Sequence, residues 1–309
     1  MPEFKHKIGI VVPTLNRYPD LHRMLTSLAA QTSRPHQVII VDGGEGNNTV
    51  ERIVEEFPTL NIRYLSENPP SLARQRNLGM GALEPGITLG GYIDDDIVLE
   101  SDAVEAMLAF WESAGPEVGG VRFNITNERR ASLLGLRSLF RIESSTLGRV
   151  TPSGFNSSIG AIDRAQTVQW LSGGATIWSR EVINEFQYDE WYQGTGYLED
   201  LDYSYQVGQK YQLVALAEAR VQHYSYPLRK ERNYLLGKWQ AINRMYFVRK
   251  HDTLSVPWYY WSMIGEFLLN VLVSLASRDW WRLKRAWGNL VGLAYVAQGK
   301  VDRIGGIFK

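Results

Sequence analysis

Three aspartates, Asp94, Asp95 and Asp96, follow directly on the apolar run from Thr88 to Ile93. Carboxylates this close disfavour one another's ionisation once water is scarce, so the triplet calls for a cation. Their hard oxygens suit Mg2+ or Mn2+, which bind through one or two carboxylates and keep positions for substrate phosphates and water. On a continuing strand Asp94 and Asp96 would project to one side and Asp95 to the other, so that one pair converges on one ligand. The competing reading is an acidic turn capping a helix that begins near Ser101, with no metal. A second acidic pair, Glu199-Asp200, opens an amphipathic helix, placed either for proton transfer or as favourable charge at a helix N-terminus. His223 follows an apolar run and reads as structural or as an imidazole ligand. The chain has no cysteine, which excludes disulfides, thiol catalysis and cysteine-held zinc or iron–sulfur centres.

These groups need a scaffold, and the first hundred residues predict one. Strands are expected at Ile8 to Val12, Val38 to Val41, Ile62 to Leu65 and Thr88 to Ile93. Between them, helices are expected around Leu21 to Leu28, Val50 to Phe57 and Leu72 to Leu83. Such alternation implies a largely parallel sheet covered on both faces, with ligands at the carboxyl ends of its strands. Three loops lie there: Pro13 to Arg17, Asp42-Gly43-Gly44 and Asp94-Asp95-Asp96. Asp42 has the chemistry to accept a hydrogen bond from a base or ribose, although turn formation alone also explains Asp-Gly-Gly. The helix opened by Ser71 carries Arg74 and Arg76, and guanidinium groups near a helix N-terminus suit a diphosphate. From Asn124 to Arg164 the pattern breaks into a Ser/Gly/Asn-rich stretch around Leu133 to Ile142, expected as a mobile insertion.

Val11 to Arg17, Val38 to Gly44, Ala73 to Gly79 and Tyr92 to Asp96 together closely resemble, in order and spacing, the donor half of family-two glycosyltransferases. The resemblance implies a GT-A type α/β fold: a Rossmann-like mixed, mostly parallel sheet flanked by helices, here with a C-terminal helical appendage. It implies inverting transfer of one sugar from a nucleotide-sugar donor, with Mn2+ or Mg2+ as cofactor. Pro13, Thr14 and Asp42 would line the nucleobase pocket, with Asn16 and Asp95 counted among the donor-binding residues and Arg74 and Asn77 beside the donor. Asp94 and Asp96 would form the family's D-x-D, Asp96 being the direct metal ligand and His223 a further one. Downstream, Trp170, Gly173 and Gly174 would underlie the acceptor. Glu199 and Asp200 match a Glu-Asp pair whose aspartate is the general base. Read alone, Gly173-Gly174 is an ordinary turn. The family's Gln-x-x-Arg-Trp is missing; Trp239 to Arg244 only approximates it, which argues against a processive synthase.

The expected organisation is a catalytic domain over 1–225 and a helical segment over 226–309. The 33 basic residues balance 33 acidic ones, so nothing global argues for nucleic acid. A UDP-sugar leads dTDP and GDP sugars as expected donor, and a glycan or lipid-linked molecule is the expected acceptor. Arg229, Lys230, Arg232, Lys238 and Arg244 are cations with the reach to meet donor phosphates. Pro257 to Ala276 has the length to cross a bilayer, but Glu266 and Asn270 interrupt it, which disfavours a lipid-exposed span. Arg278 to Trp287 mixes aromatics with cations, as in a helix lying among lipid headgroups. The expected location is cytoplasmic, peripheral on the inner face of the cell membrane; a homo-oligomer interface explains the aromatics equally well. Two other classes stand beside the enzyme reading. One is an inactive sugar-nucleotide-binding or scaffolding protein; the other, a nucleotidyltransferase, lacks the glycine-rich phosphate loop it needs after the first strand.

Overall fold

A computed structural model of the chain describes residues 4–44, 49–128, 134–193, 196–225 and 230–301. Arg229 and Leu133 lie outside the described residues. In chain order the elements are β1 (Ile8–Thr14), α1 (Tyr18–Ala29), β2 (Gln37–Asp42), α2 (Thr49–Glu55), β3 (Ile62–Ser66), α3 (Leu72–Gly81) and β4 (Leu89–Ile93). There follow β5 (Ile97–Leu99), α4 (Ala103–Ser113), β6 (Val118–Ile125), α5 (Leu134–Leu139), β7 (Gln166–Val168), β8 (Ala175–Ser179), α6 (Arg180–Glu185), α7 (Glu199–Gly208) and β9 (Gln212–His223). The last helices are α8 (Asn233–Lys250), α9 (Val256–Ser277) and α10 (Trp281–Ala297).

The chain forms two compact units. The first comprises Met1–Arg130, Ile159–Glu190 and Asp200–Ser225. Its sheet runs β3-β2-β1-β4-β8-β6-β9-β5, with β7 beside β9. The β3-β2-β1-β4 half is parallel, whereas β8 runs antiparallel to both β4 and β6. Val11, Val12, Ile39 and Ile40 are wholly buried, as neighbouring residues on a strand can be only when both faces of the sheet are covered. Helix α1 turns Leu21, Met24, Leu25 and Leu28 inward at helical spacing. Strand β9 departs from regular pairing: Arg122 faces Ala215 while Asn124 faces Arg220, so five residue steps of β9 oppose two of β6. The Asn124 amide closes this bulge by donating to the carbonyls of Ala217 (3.1 Å) and Ile162 (2.8 Å).

The second unit comprises Ala131–Ser158, Trp191–Glu199 and Tyr226–Lys309. Of the stretch expected as a mobile insertion, residues 134–158 are packed here, and they join the C-terminal helices although they precede residue 226. The reason is apolar: Ile142 and Phe155 are buried in one core with Ile242, Met245, Tyr259 and Met263. Helices α8 and α10 cross closely at small residues. A Cβ at Gly237 would stand 2.1 Å from the Arg285 carbonyl oxygen, and one at Gly288 2.2 Å from that of Tyr234. Neither backbone can yield to a side chain. Gly288→Ala should therefore cost about 1–3 kcal/mol through overpacking, against the roughly 1 kcal/mol that helix propensity alone would return. Urea denaturation measures the balance, and a stabilised variant would contradict this crossing.

Candidate active site

The carboxyl ends of β1 and β2 lie side by side, with Thr14 paired to Asp42. Asp42 is buried; its Oδ1 accepts the Gly44 N–H at 2.8 Å, and its Oδ2 lies 3.4 Å from the Tyr64 hydroxyl that donates to it. Gln75, buried on α3, donates its amide to the carbonyls of both Thr14 (3.0 Å) and Val41 (2.8 Å), clamping the helix across the two strand ends. Asn16 takes a left-handed conformation (φ 55°), one that asparagine tolerates, and accepts from the Tyr18 hydroxyl at 3.2 Å. Pro13 pairs with Val41 inside the sheet and is buried. Arg74 pairs with Glu67 (2.9 Å) and donates to the Pro69 carbonyl.

The aspartates do not continue the strand. The Ile97 N–H bonds to the Asp94 carbonyl (3.1 Å), closing a turn between β4 and β5, so the two-to-one alternation expected of a strand is lost. Each carboxylate instead goes its own way. Asp94 faces Arg76 at 3.4 Å and lies against Gly174, where a Cβ would meet its Oδ2 at 2.7 Å. Asp95, almost wholly buried, accepts the Thr14 hydroxyl at 2.7 Å and contacts Arg17 at 3.3 Å. Burial pushes its carboxyl up to about 7, against the opposing hydrogen bond from Thr14 and the charge of Arg17.

Asp96 lies 2.8 Å from Arg17 and 3.0 Å from His223 Nε2. Burial opposes its ionisation, but His223 and Arg17 outweigh burial and hold the carboxyl below its ordinary value. The same contact with Asp96 raises the His223 imidazole, against the pull of burial. Strand register brings the pair together. Ile97 of β5 faces His223 of β9, the Tyr224 N–H bonds to the Asp96 carbonyl (2.9 Å), and Asn127 fixes the His223 backbone through its N–H (3.0 Å) and its carbonyl (2.9 Å).

Arg76 is fully buried between the rings of Tyr92 (5.6 Å) and Tyr188 (5.1 Å), and a Cβ at Gly173 would stand 2.6 Å from its guanidinium. The paired glycines are thus required by this ion pair, whatever else approaches them. Asp200 joins the same group: its Oδ2 accepts the Gly173 N–H at 3.0 Å and its Oδ1 that of Leu201 at 2.7 Å. Asn77, expected beside the donor, is occupied in holding the loop after α6. It exchanges hydrogen bonds with the Tyr188 backbone in both directions (each 2.9 Å) and donates to Glu190. Trp170 is buried in the first unit, and Glu199 in the second.

The structure therefore gathers Asp94, Asp95, Asp96, Thr14, His223, Gly173, Gly174 and Asp200 through one turn and its cations. Asp94 is not brought with Asp96 and His223 into a three-ligand group, and none of three or more acidic or histidine side chains exists among the described residues. The remaining pair still fits a divalent ion. Asp96 Oδ1 is buried without an aligned hydrogen bond, beside an imidazole nitrogen. Two protein ligands also suffice where substrate phosphates complete the shell. Sequence reasoning missed Arg17 and Arg76 as the cations that neutralise the triplet; both stand inside the motifs that carried the resemblance. Of the other expected cations, Lys238 lies over Tyr295 and Arg244 over Phe155, both buried in the second unit, while Lys230 and Arg232 are exposed.

Fold and constellation together define a glycosyltransferase domain of the GT-A type. The profile described as Glycosyl transferase family 2 matches residues 9–185, and the chain belongs to that family. An uncharacterised glycosyltransferase of Bacillus subtilis (strain 168), YwdF, is 34% identical over 109 residues, which is 35% of this chain and 39% of that one. The mannosyltransferase PcManGT of Pyrobaculum calidifontis, solved with GDP-Man and Mn2+, superimposes with a TM-score of 0.54 at 16% identity over 96% of this chain and 80% of its own. S. aureus TarS gives 0.52 at 17% identity over 87% of this chain, which spans 44% of TarS. A truncated form of TarS (residues 1-349), solved with UDP-GlcNAc, gives 0.51 at 14% identity over 95% of this chain and 92% of that one.

Thr14→Val keeps shape and removes the hydroxyl that Asp95 accepts. Leaving this buried carboxylate short of a donor should lower stability by about 1–3 kcal/mol, read from denaturant unfolding; an unchanged midpoint would contradict the contact.

Proposed function

We propose that this protein transfers a single sugar from a nucleoside-diphosphate sugar to an acceptor hydroxyl with inversion at the anomeric carbon. The observation that carries the reading is the single connected set in which the Asp94-Asp95-Asp96 turn meets Arg17, Arg76 and His223, with Asp200 fastened to the adjoining Gly173. Thr14, Asn16 and Asp42, at the ends of β1 and β2, mark the nucleotide end of the site. A UDP-sugar is the first candidate; a GDP-sugar is the second, by likeness to the mannosyltransferase solved with GDP-Man.

Asp200 is the proposed general base. An acceptor hydroxyl ionises far above neutrality, and a carboxylate in reach takes its proton as the new C–O bond forms. The bond from the anomeric carbon to the phosphate oxygen breaks on the opposite face, and the nucleoside diphosphate leaves with that electron pair. Arg17 and Arg76 supply fixed positive charge near the site of that change. Asp96 and His223 would hold Mn2+ or Mg2+, whose chemistry is to neutralise the developing charge on the diphosphate. The proposed acceptor is a glycan or lipid-linked precursor, in polysaccharide or glycolipid assembly. The proposed compartment is the cytoplasm, whose reducing conditions suit a cysteine-free chain.

Calorimetric titration with a panel of nucleoside diphosphates, with Mn2+ or EDTA, tests the donor side. One diphosphate should bind, its affinity should fall at least about tenfold on chelation, and Asp96→Ala should abolish the metal dependence. Metal-independent binding would remove the role given to Asp96 and His223, and no binding at all would favour a scaffolding protein. For the base, Asp200→Asn should lower kcat roughly 10²–10⁴-fold with diphosphate affinity retained. Unchanged donor hydrolysis and transfer in that variant would refute the assignment.

A further inference from the structure

Helix α9 is built the wrong way round for a protein in water. Ser262, Glu266, Asn270 and Ser274 recur every four residues, and all four are buried. Its outer face instead shows Trp258, Trp261, Ile264, Leu268, Leu272 and Leu275, with Leu272 57% and Leu275 60% exposed. The inward polar stripe is bonded to its neighbours rather than merely enclosed. Gln240 on α8 donates to Glu266 at 3.2 Å, Asn270 donates to Asn289 on α10 at 3.2 Å, and Asn289 donates back to Gln240 (3.1 Å) and to the Gly237 carbonyl (3.0 Å). The Glu266 and Asn270 that interrupt the apolar run thus belong to the inner seam and leave the exposed positions from Trp261 to Leu275 apolar.

Polar groups turned inward, helices crossing at Gly237 and Gly288, and apolar side chains turned outward are the pattern helices adopt against hydrocarbon. Among the described residues α9 is also the one helix long and apolar enough to cross a membrane. Crossing is not what its neighbours allow, because α10 beside it carries Arg282, Lys284 and Arg285. The charges around the stripe choose the occupant. Residues 256–300 hold five cations (Arg278, Arg282, Lys284, Arg285 and Lys300), of which Arg285 is turned inward to Asn233, against Glu266, which is buried, and Asp279. Trp280 and Trp287 are exposed beside them, and Lys284 lies over the Trp281 ring at 4.3 Å. Aromatics and cations flanking an apolar stripe fit the headgroup layer of an anionic bilayer.

We propose that α9 lies in the plane of an anionic lipid surface with the Trp261–Leu275 stripe immersed in the acyl region and Arg278, Arg282 and Lys284 at the headgroups. This surface is independent of the donor chemistry above. Sedimentation with vesicles of equal parts phosphatidylglycerol and phosphatidylcholine tests it on the full chain. The wild type should pellet with the vesicles and remain bound in high salt, since apolar insertion outlasts screening. Leu272→Glu with Leu275→Glu changes exposed positions and should leave the unfolding midpoint in place while lowering the bound fraction roughly tenfold or more. Brominated acyl chains should quench tryptophan fluorescence in the wild type. Equal binding by the double variant, absent quenching, or release by salt alone would overturn the proposal. A wild-type dimer that ignores vesicles and becomes monomeric in the variant would assign the stripe to a second copy instead.

Discussion

Three carboxylates at the carboxyl end of a central strand can persist only if positive charge is brought to them, and much of the first unit is arranged to bring it. Arg17 arrives from the loop after β1, Arg76 from α3 and His223 from the far end of β9. Each cation commits an element. The paired glycines at 173 and 174 follow from the same demand, since any side chain there would displace Arg76 or Asp94. Charge compensation thus sets backbone composition at the start of the neighbouring strand, β8. Burial and charge together divide the triplet: burial raises the Asp95 carboxyl against Thr14 and Arg17, whereas His223 and Arg17 outweigh burial and lower that of Asp96.

Much of this was legible in the sequence. Strands β1 to β4 and the helices between them follow from apolar periodicity, and the rule that ligands sit at strand ends selects the three loops that converge. What periodicity could not supply was the turn at 94–97, because a strand and a tight turn share the same residues up to Ile93. The expected pairing of Asp94 with Asp96 rested on a pleat that ends one residue earlier. Asn77 shows a second limit. Its type suits a ligand, yet its amide is spent on the Tyr188 backbone, more than a hundred positions away in the chain.

The described stretch at 134–158 was misread for a related reason. Ser, Gly and Asn suggested looseness, whereas Ile142 and Phe155, too sparse to show a period, decide its place in the second core. There the polar residues of α9 had no face assigned to them by composition alone. Glu266 and Asn270 interrupt the apolar run when read along the chain, and only the neighbouring Gln240 and Asn289 reveal that they occupy the inner face.

The bulge in β9 gives chain length a meaning that composition lacks. Because strand residues alternate sides, an odd surplus of residues reverses which side everything beyond it presents. His223 lies beyond such a surplus, held opposite Ile97. Between Ala215 and Arg220, then, the number of residues is locked as firmly as the identity of the buried Leu216 and Ala219. One insertion or deletion there would offer Asp96 a glutamine or a tyrosine in place of the imidazole. In descendants of this chain, gaps should accumulate in the connections and avoid this short run, whose tally decides which side chain reaches the carboxylates.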